Sequence, residues 1–198
     1  MGTPPLLGER WENALAYASR AHAMQVRKGT AIPYVSHLLS VSALVLEHGG
    51  DDEQAIAALL HDAVEDQGGA PRLADIRQRF GERVAGIVEA CTDTDVIPKP
   101  PWRERKQTYL DHLPRVAPEA LLVSMADKLH NLRCILADYR VTGEVLWERF
   151  TGEREGTLWY YRSLTDVYRA VVPGRMSREL DRTLAELERL VREGPALG

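Results

Sequence analysis

The chain has 198 residues, 44% of them hydrophobic, enough for one sizeable globular core. Its formal net charge of −4 argues against a broad nucleic-acid surface, which carries a basic excess. Two cysteines, Cys91 and Cys134, are too few for a disulfide scaffold and lack the CxxC spacing of a zinc site. There is no basic amino-terminal region followed by an apolar run, and no run nears the ~18 residues a membrane helix needs, so a cytoplasmic, reducing location is expected. Small anionic ligands stay open, because basic residues cluster at Arg27-Lys28 and from Lys99 to Lys106 in KPPWRERK. Ordinary solvated charge would give the same clusters.

Strand signals are scarce and helical spacing recurs, so an all-α fold of about nine or ten helices is expected. A first helix is predicted over Glu9 to Val26, with Trp11, Leu15, Ala18 and His22 on one face, broken by Gly29 and Pro33 in RKGTAIPY. A second begins near Ser36 and stops at Gly49-Gly50. A third opens on Asp51 and Gln54, spaced as a capping box, and runs to Gln67-Gly68-Gly69. Pro71 to Gly81 and Glu82 to Thr92 give two short helices, followed by the proline-rich loop DTDVIPKPP. Helices are then expected over Trp102 to Leu113, Pro118 to Tyr139, Val145 to Phe150 and Arg154 to Val171. After Pro173-Gly174 a last amphipathic helix carries Leu180, Leu184, Leu187 and Leu190, a stripe too short for a sustained heptad seam.

The third helix holds the densest chemistry, in ALLHDAVED (58–66). On a helical wheel Ile56, Leu59, Leu60, Ala63 and Val64 share one broad face. His61, Asp62, Glu65 and Asp66 share the other, with His61 and Glu65 one turn apart and Asp62 and Asp66 likewise. Two of these side chains could hold an ion while the next turn supplies acid and base groups. A surface helix with a wet acidic face gives the same pattern. Two further segments favour the ion. Asp127, in EALLVSMADKLHNLR, follows a run in which only Ser124 is polar, so it is expected to be buried and to need a partner. His37, in PYVSHLLSV, opens the second helix. Two imidazoles and two carboxylates suit Mn²⁺, Fe²⁺, Co²⁺ or Zn²⁺ better than a thiolate site does.

The order H … HD … D resembles the HD-domain metal-dependent phosphohydrolases. The resemblance is closer to one branch, the hydrolase domain of RelA/SpoT homologues. AHAMQVRKGTAIPYVSH, AALLHDAVEDQ, FGERVAGIVEACTD and VSMADKLHNLR look like four successive blocks of that branch and span about residues 21 to 133. The segment beyond reads as helices, so the chain resembles the single-domain small alarmone hydrolases, similar to the metazoan SpoT homologue. That implies an HD-type domain over residues 1–175, with a C-terminal amphipathic helix over 176–198 packed on it. The family removes the 3′-pyrophosphate of guanosine tetra- and pentaphosphate, usually with Mn²⁺.

Carried over by position, the resemblance implies His37, His61, Asp62 and Asp127 as metal ligands and Glu65 and Asp66 as the catalytic pair. It implies Arg27, Lys28 and Asn131 near the nucleotide, and the pyrophosphate charge calls for further cations, for which Lys106 and Arg133 are the candidates. The chain departs from the pattern at Leu38, where many members have Pro, and at Cys134, where long members have Thr. Adenosine-based alarmones, the 2′-phosphate of NADPH and a non-catalytic nucleotide-binding role remain alternatives. A homo-oligomer and a cognate alarmone-synthetase toxin remain open as partners.

Overall fold

The structure, a computed structural model, describes residues 7–92, 98 and 100–194. Lys99 and most of the DTDVIPKPP loop lie outside the described residues. The helices are α1 (Glu9–Ala21), α2 (Val35–Glu47), α3 (Asp52–Leu60), α4 (Ala63–Gln67), α5 (Gly69–Phe80), α6 (Glu82–Cys91), α7 (Trp102–His112), α8 (Pro118–Thr142), α9 (Glu153–Val171) and α10 (Arg175–Glu193). Two 3-10 turns, Leu113–Arg115 and Gly143–Arg149, flank α8. Among the described residues the extended pairing is a single bridge between Val26 and Pro33. No helix among them is long and apolar enough to cross a membrane. The chain divides into two compact units, residues 1–99 with 116–126, and residues 100–115 with 127–198.

In the first unit α3 is the axis. It packs against α1, α2 and α6, and every residue from Gln54 to Leu60 is buried. Ala55, Ala57 and Ala58 present no bulk, so neighbouring helices close around it on all sides. Its start follows the sequence reading: Asp51 accepts from the Gln54 backbone N–H at 2.9 Å, and Gln54 Oε1 accepts from the Asp51 N–H at 3.0 Å. Gly50 fits just before it, where an added Cβ would stand 2.4 Å from Val45 Cγ1.

Two expected helices end early. The first stops at Ala21 instead of Val26, because the chain turns into a small hairpin. There the Arg27 N–H donates to the Ile32 carbonyl at 2.8 Å, and the Tyr34 N–H to the Gln25 carbonyl at 2.9 Å. The third is interrupted at His61-Asp62 before resuming as α4. His61 directs its Nδ1 at the Ala58 carbonyl, 2.8 Å away, and Asp62 adopts φ −94°, ψ −4°. A side chain bonded to the preceding turn competes with the helical ladder there. His61 is 2% exposed, which speaks against the alternative of a wet surface helix at this position.

Arg83 ties this unit together. Its guanidinium reaches Asp51 (2.8 Å), Glu53 (3.0 Å) and Glu119 (2.9 Å), joining α6 to the starts of α3 and α8. Arg83 is the main cause holding the Asp51 and Glu53 carboxyls below their ordinary values, with Arg10 assisting at Glu53.

In the second unit Trp102 of α7 lies on two glycines around the start of α9. A Cβ on Gly152 would meet the Trp102 ring at 2.6 Å, and one on Gly156 at 3.1 Å. The α9 segment TLWYYRSL is largely core: Leu158, Tyr160, Tyr161 and Leu164 are buried. α10 packs on α9 through Met176, Leu180, Leu184 and Leu187, while Leu190 is half-buried.

Replacing Arg83 by Met should destabilise the protein by roughly 1–2 kcal/mol at neutral pH, modest because the network is partly solvated. Folded-state carboxyl pKa values that are lowered give stability present above the ordinary range and lost on acidification. The difference between wild type and Arg83→Met in urea unfolding should therefore shrink as pH falls below the ordinary carboxylate pKa of about 4.

Candidate metal centre

His37 is the third residue of α2, and His61 follows the last residue of α3. α8 is unbroken, and its first nine residues, Pro118 to Ala126, belong to the first unit; Asp127 is the next residue along the same helix. All three side chains are buried, with exposures of 0%, 2% and 6%. One ring nitrogen of each histidine and one carboxylate oxygen of Asp127 lie within 4.8 Å of one another.

Asp62 lies beside the two histidines. Its Oδ2 stands 3.0 Å from His61 Nε2 and 3.5 Å from His37 Nε2. The same oxygen accepts from the Tyr34 hydroxyl at 2.6 Å. The Ala58 carbonyl beside His61 Nδ1 can only accept, so Nδ1 carries the hydrogen and the neutral ring keeps its lone pair on Nε2. That is the tautomer a metal-binding histidine needs, fixed by a carbonyl behind the ring.

Asp127 is held from two sides. Oδ1 accepts from Asn131 Nδ2 at 2.5 Å, and Oδ2 pairs with Lys128 Nζ at 2.6 Å. Burial is the strongest influence and works against the Lys128 charge, but the Asp127 carboxylate and the Tyr160, Tyr109 and Tyr168 hydroxyls together outweigh it and hold the lysine pKa well above its ordinary value. Two imidazole nitrogens, with Asp127 and Asp62 oxygens beside them, form a borderline donor set of the kind that takes Mn²⁺, Fe²⁺, Co²⁺ or Zn²⁺. The residues therefore fit a divalent cation.

The expected acid and base, Glu65 and Asp66, lie in the short α4 directly after this dipeptide. Asp66 Oδ2 accepts from Gln25 Nε2 at 2.8 Å. Asp66 is exposed at the surface, yet enough protein surrounds its carboxyl that desolvation, then the charges of Asp62 and Glu65, raise its pKa. Burial is the leading cause, and Gln25 works against it.

The expected nucleotide contacts are distributed. Arg27 lies over the Tyr34 ring at 5.7 Å, on the hairpin that also exposes Lys28. Asn131 is on Asp127 itself. Lys106 and Arg133 belong to the second unit, Lys106 over the Tyr160 ring at 5.1 Å and Arg133 paired with Glu179. Sequence reading missed Tyr34, Gln25 and Lys128. Tyr34 and Gln25 sit in a loop with no periodicity to mark them. The available signal was their place in the block before His37.

An all-helical unit whose buried central helix ends in a His-Asp pair facing a second histidine defines the HD class of proteins. Residues 14–157 match the HD domain family, and the chain belongs to that family. It is 40% identical over 123 residues to the Xenopus tropicalis guanosine-3′,5′-bis(diphosphate) 3′-pyrophosphohydrolase MESH1, covering 61% of this chain and 66% of that protein. The Homo sapiens MESH1 is 37% identical over the same share of each chain. These matches thus span just under two thirds of the relatives' length. A solved structure of a metazoan SpoT orthologue, described as hydrolysing ppGpp with a role in starvation responses, superposes with a TM-score of 0.78 at 27% identity. That superposition covers 96% of this chain and 99% of the other.

Removing the Tyr34 hydroxyl takes away its 2.6 Å donation to Asp62 Oδ2. Tyr34→Phe should weaken Mn²⁺ binding about tenfold, the usual size of an effect behind a ligand. Calorimetric titration of wild type and variant, at matched helicity by circular dichroism, measures it.

Proposed function

We propose that the chain is a divalent-metal-dependent hydrolase, with Mn²⁺ as the working ion, that removes the 3′-pyrophosphate of guanosine tetra- and pentaphosphate. The observation that carries this is the buried convergence of His37, His61 and Asp127 with Asp62 directly ahead of the acidic pair Glu65-Asp66. Relatives bearing that activity in their names support the choice of substrate. A guanosine alarmone as substrate would have the protein work in the cytoplasm.

In the reaction, water adds to the phosphorus attached to the 3′ oxygen, the bond from that oxygen to phosphorus breaks, and GDP or GTP leaves with pyrophosphate. His37, His61, Asp62 and Asp127 hold the ion. When bound, a divalent cation there polarises the phosphoryl group and lowers the pKa of a water. Tyr34 keeps Asp62 in place, and Asn131 and Lys128 keep Asp127 in place. Glu65 and Asp66 divide the proton traffic between attacking water and leaving 3′ oxygen, and burial of Asp66 keeps its carboxyl able to carry a proton above the usual carboxylate range. Arg27 and Lys28 offset the pyrophosphate charge, Asn131 contacts the nucleotide, and Lys106 and Arg133 supply further cationic contacts.

Purified protein with Mn²⁺, given a panel of 3′- and 2′-phosphorylated nucleotides, should release pyrophosphate from the guanosine alarmones. Preference for adenosine alarmones, or orthophosphate from NADPH alone, would move the substrate. Nucleotide binding with no product would instead make the chain a regulator. Asp127→Asn should lose metal binding and turnover together, and full activity in that variant would sink the assignment of the centre. Asp66→Asn should keep the metal yet lose about 100-fold or more in kcat, as expected for a proton-transfer group.

A further inference from the structure

Gln25, in the turn after α1, lies outside the donor set but touches the acidic pair. Its Oε1 is 2.7 Å from His22 Nδ1 and 2.6 Å from Gln67 Nε2. Its Nε2 is 2.8 Å from Asp66 Oδ2. These contacts settle which way the amide points. An ionised carboxylate only accepts, so nitrogen must face Asp66, and Oε1 then receives the Gln67 amide hydrogen and the His22 Nδ1 hydrogen. Both donors are themselves anchored. His22 is 3% exposed and stacks on Tyr34 at 5.1 Å. The Gln67 carbonyl accepts two bonds from Arg72, at 3.1 and 3.0 Å.

The amide is thus pinned on its oxygen side by two chain segments, and its nitrogen has one orientation left. We propose that Gln25 is a positioning residue that fixes Asp66 through Oδ2 and leaves Oδ1 as the oxygen that exchanges a proton during hydrolysis. This rests on the hydrolase reading above. It adds an aiming element made from the α1–α2 segment and braced by α5 through Arg72.

The charged and titratable groups around Asp66 are Asp62 and Glu65 on its own segment and His22 opposite. Gln25 supplies the N–H that opposes the rise caused by burial. Removing that N–H must raise the Asp66 pKa further, because a donor to a carboxylate favours its ionised form. Whichever limb of the pH–rate profile Asp66 controls therefore moves to higher pH.

Two variants test this. Gln25→Leu keeps the bulk and removes the donor. Gln25→Glu keeps the shape and sets an oxygen against Asp66 Oδ2. The expected kcat losses are about tenfold for Leu and about a hundredfold for Glu, with KM within about twofold, by the scale of proton-transfer contributions. A filler of space would give the opposite order, since Glu is the better shape match. Carboxyl NMR titration of Asp66 in metal-free protein, which needs no substrate, should show its pKa higher in both variants. An unchanged Asp66 titration, or a Gln25→Glu enzyme as fast as wild type, overturns the proposal. Should no nucleotide in the panel be turned over by wild type, the hydrolase reading fails, and the NMR result still decides whether Gln25 governs Asp66.

Discussion

One hydrogen bond organises the first unit's chemistry, that from His61 Nδ1 to the Ala58 carbonyl. It lies where a fully buried helix ends, so there is no water to replace it. The bond draws the imidazole back along the helix, interrupts the ladder, and lets the next residue, Asp62, take a turn conformation. It also fixes a hydrogen on Nδ1, which leaves Nε2, 3.0 Å from the Asp62 carboxylate and beside the ring of His37, as the nitrogen able to bind an ion. Helix termination, tautomer and ligand direction are one event, set by a side chain reaching three residues back.

Around that point the structure manages a concentration of carboxylates. Asp127 is buried, Asp62 and Glu65 are half-buried and Asp66 is exposed, and their like charges repel where no donor offsets them. Each of three has an identified partner: Tyr34 on Asp62, Gln25 on Asp66, Lys128 and Asn131 on Asp127. The neutral donors meet Asp62 and Asp66, while the cation sits at the most buried carboxylate, Asp127. A buried ammonium beside a buried carboxylate is tolerable where their attraction and further hydrogen bonds offset the desolvation of both.

Much of this was legible in the chain. The all-α class followed from helical spacing, and the Asp51–Gln54 box marked the start of α3 correctly. The burial of Asp127 followed from the apolar run before it, and His37 from its place beside the helix start. The sequence misled where it assumed ideal continuity. A wheel drawn through residues 56 to 66 sets His61 opposite the apolar face and leaves a wet surface open as an alternative, because 100° steps carry no information about a side chain that bonds its own backbone. It also presumes that a helix has an outer face. α3 has none, since three alanines allow neighbours on every side. Tyr34 and Gln25 were invisible for a related reason: they work from a hairpin, where no period exists and where partners are distant in sequence.

The absence of an outer face on α3 has a consequence for the protein's life in the cell. A helix of nine residues whose last seven are all buried cannot persist by itself, so it takes shape only as its neighbours close on it. The groups at its end therefore come together only in the closed state, and any ion they hold favours that state over the open chain by mass action. Metal supply and survival against proteases become linked quantities. Were an ion bound there, a cell short of it would hold a smaller stock of this protein rather than an idle one.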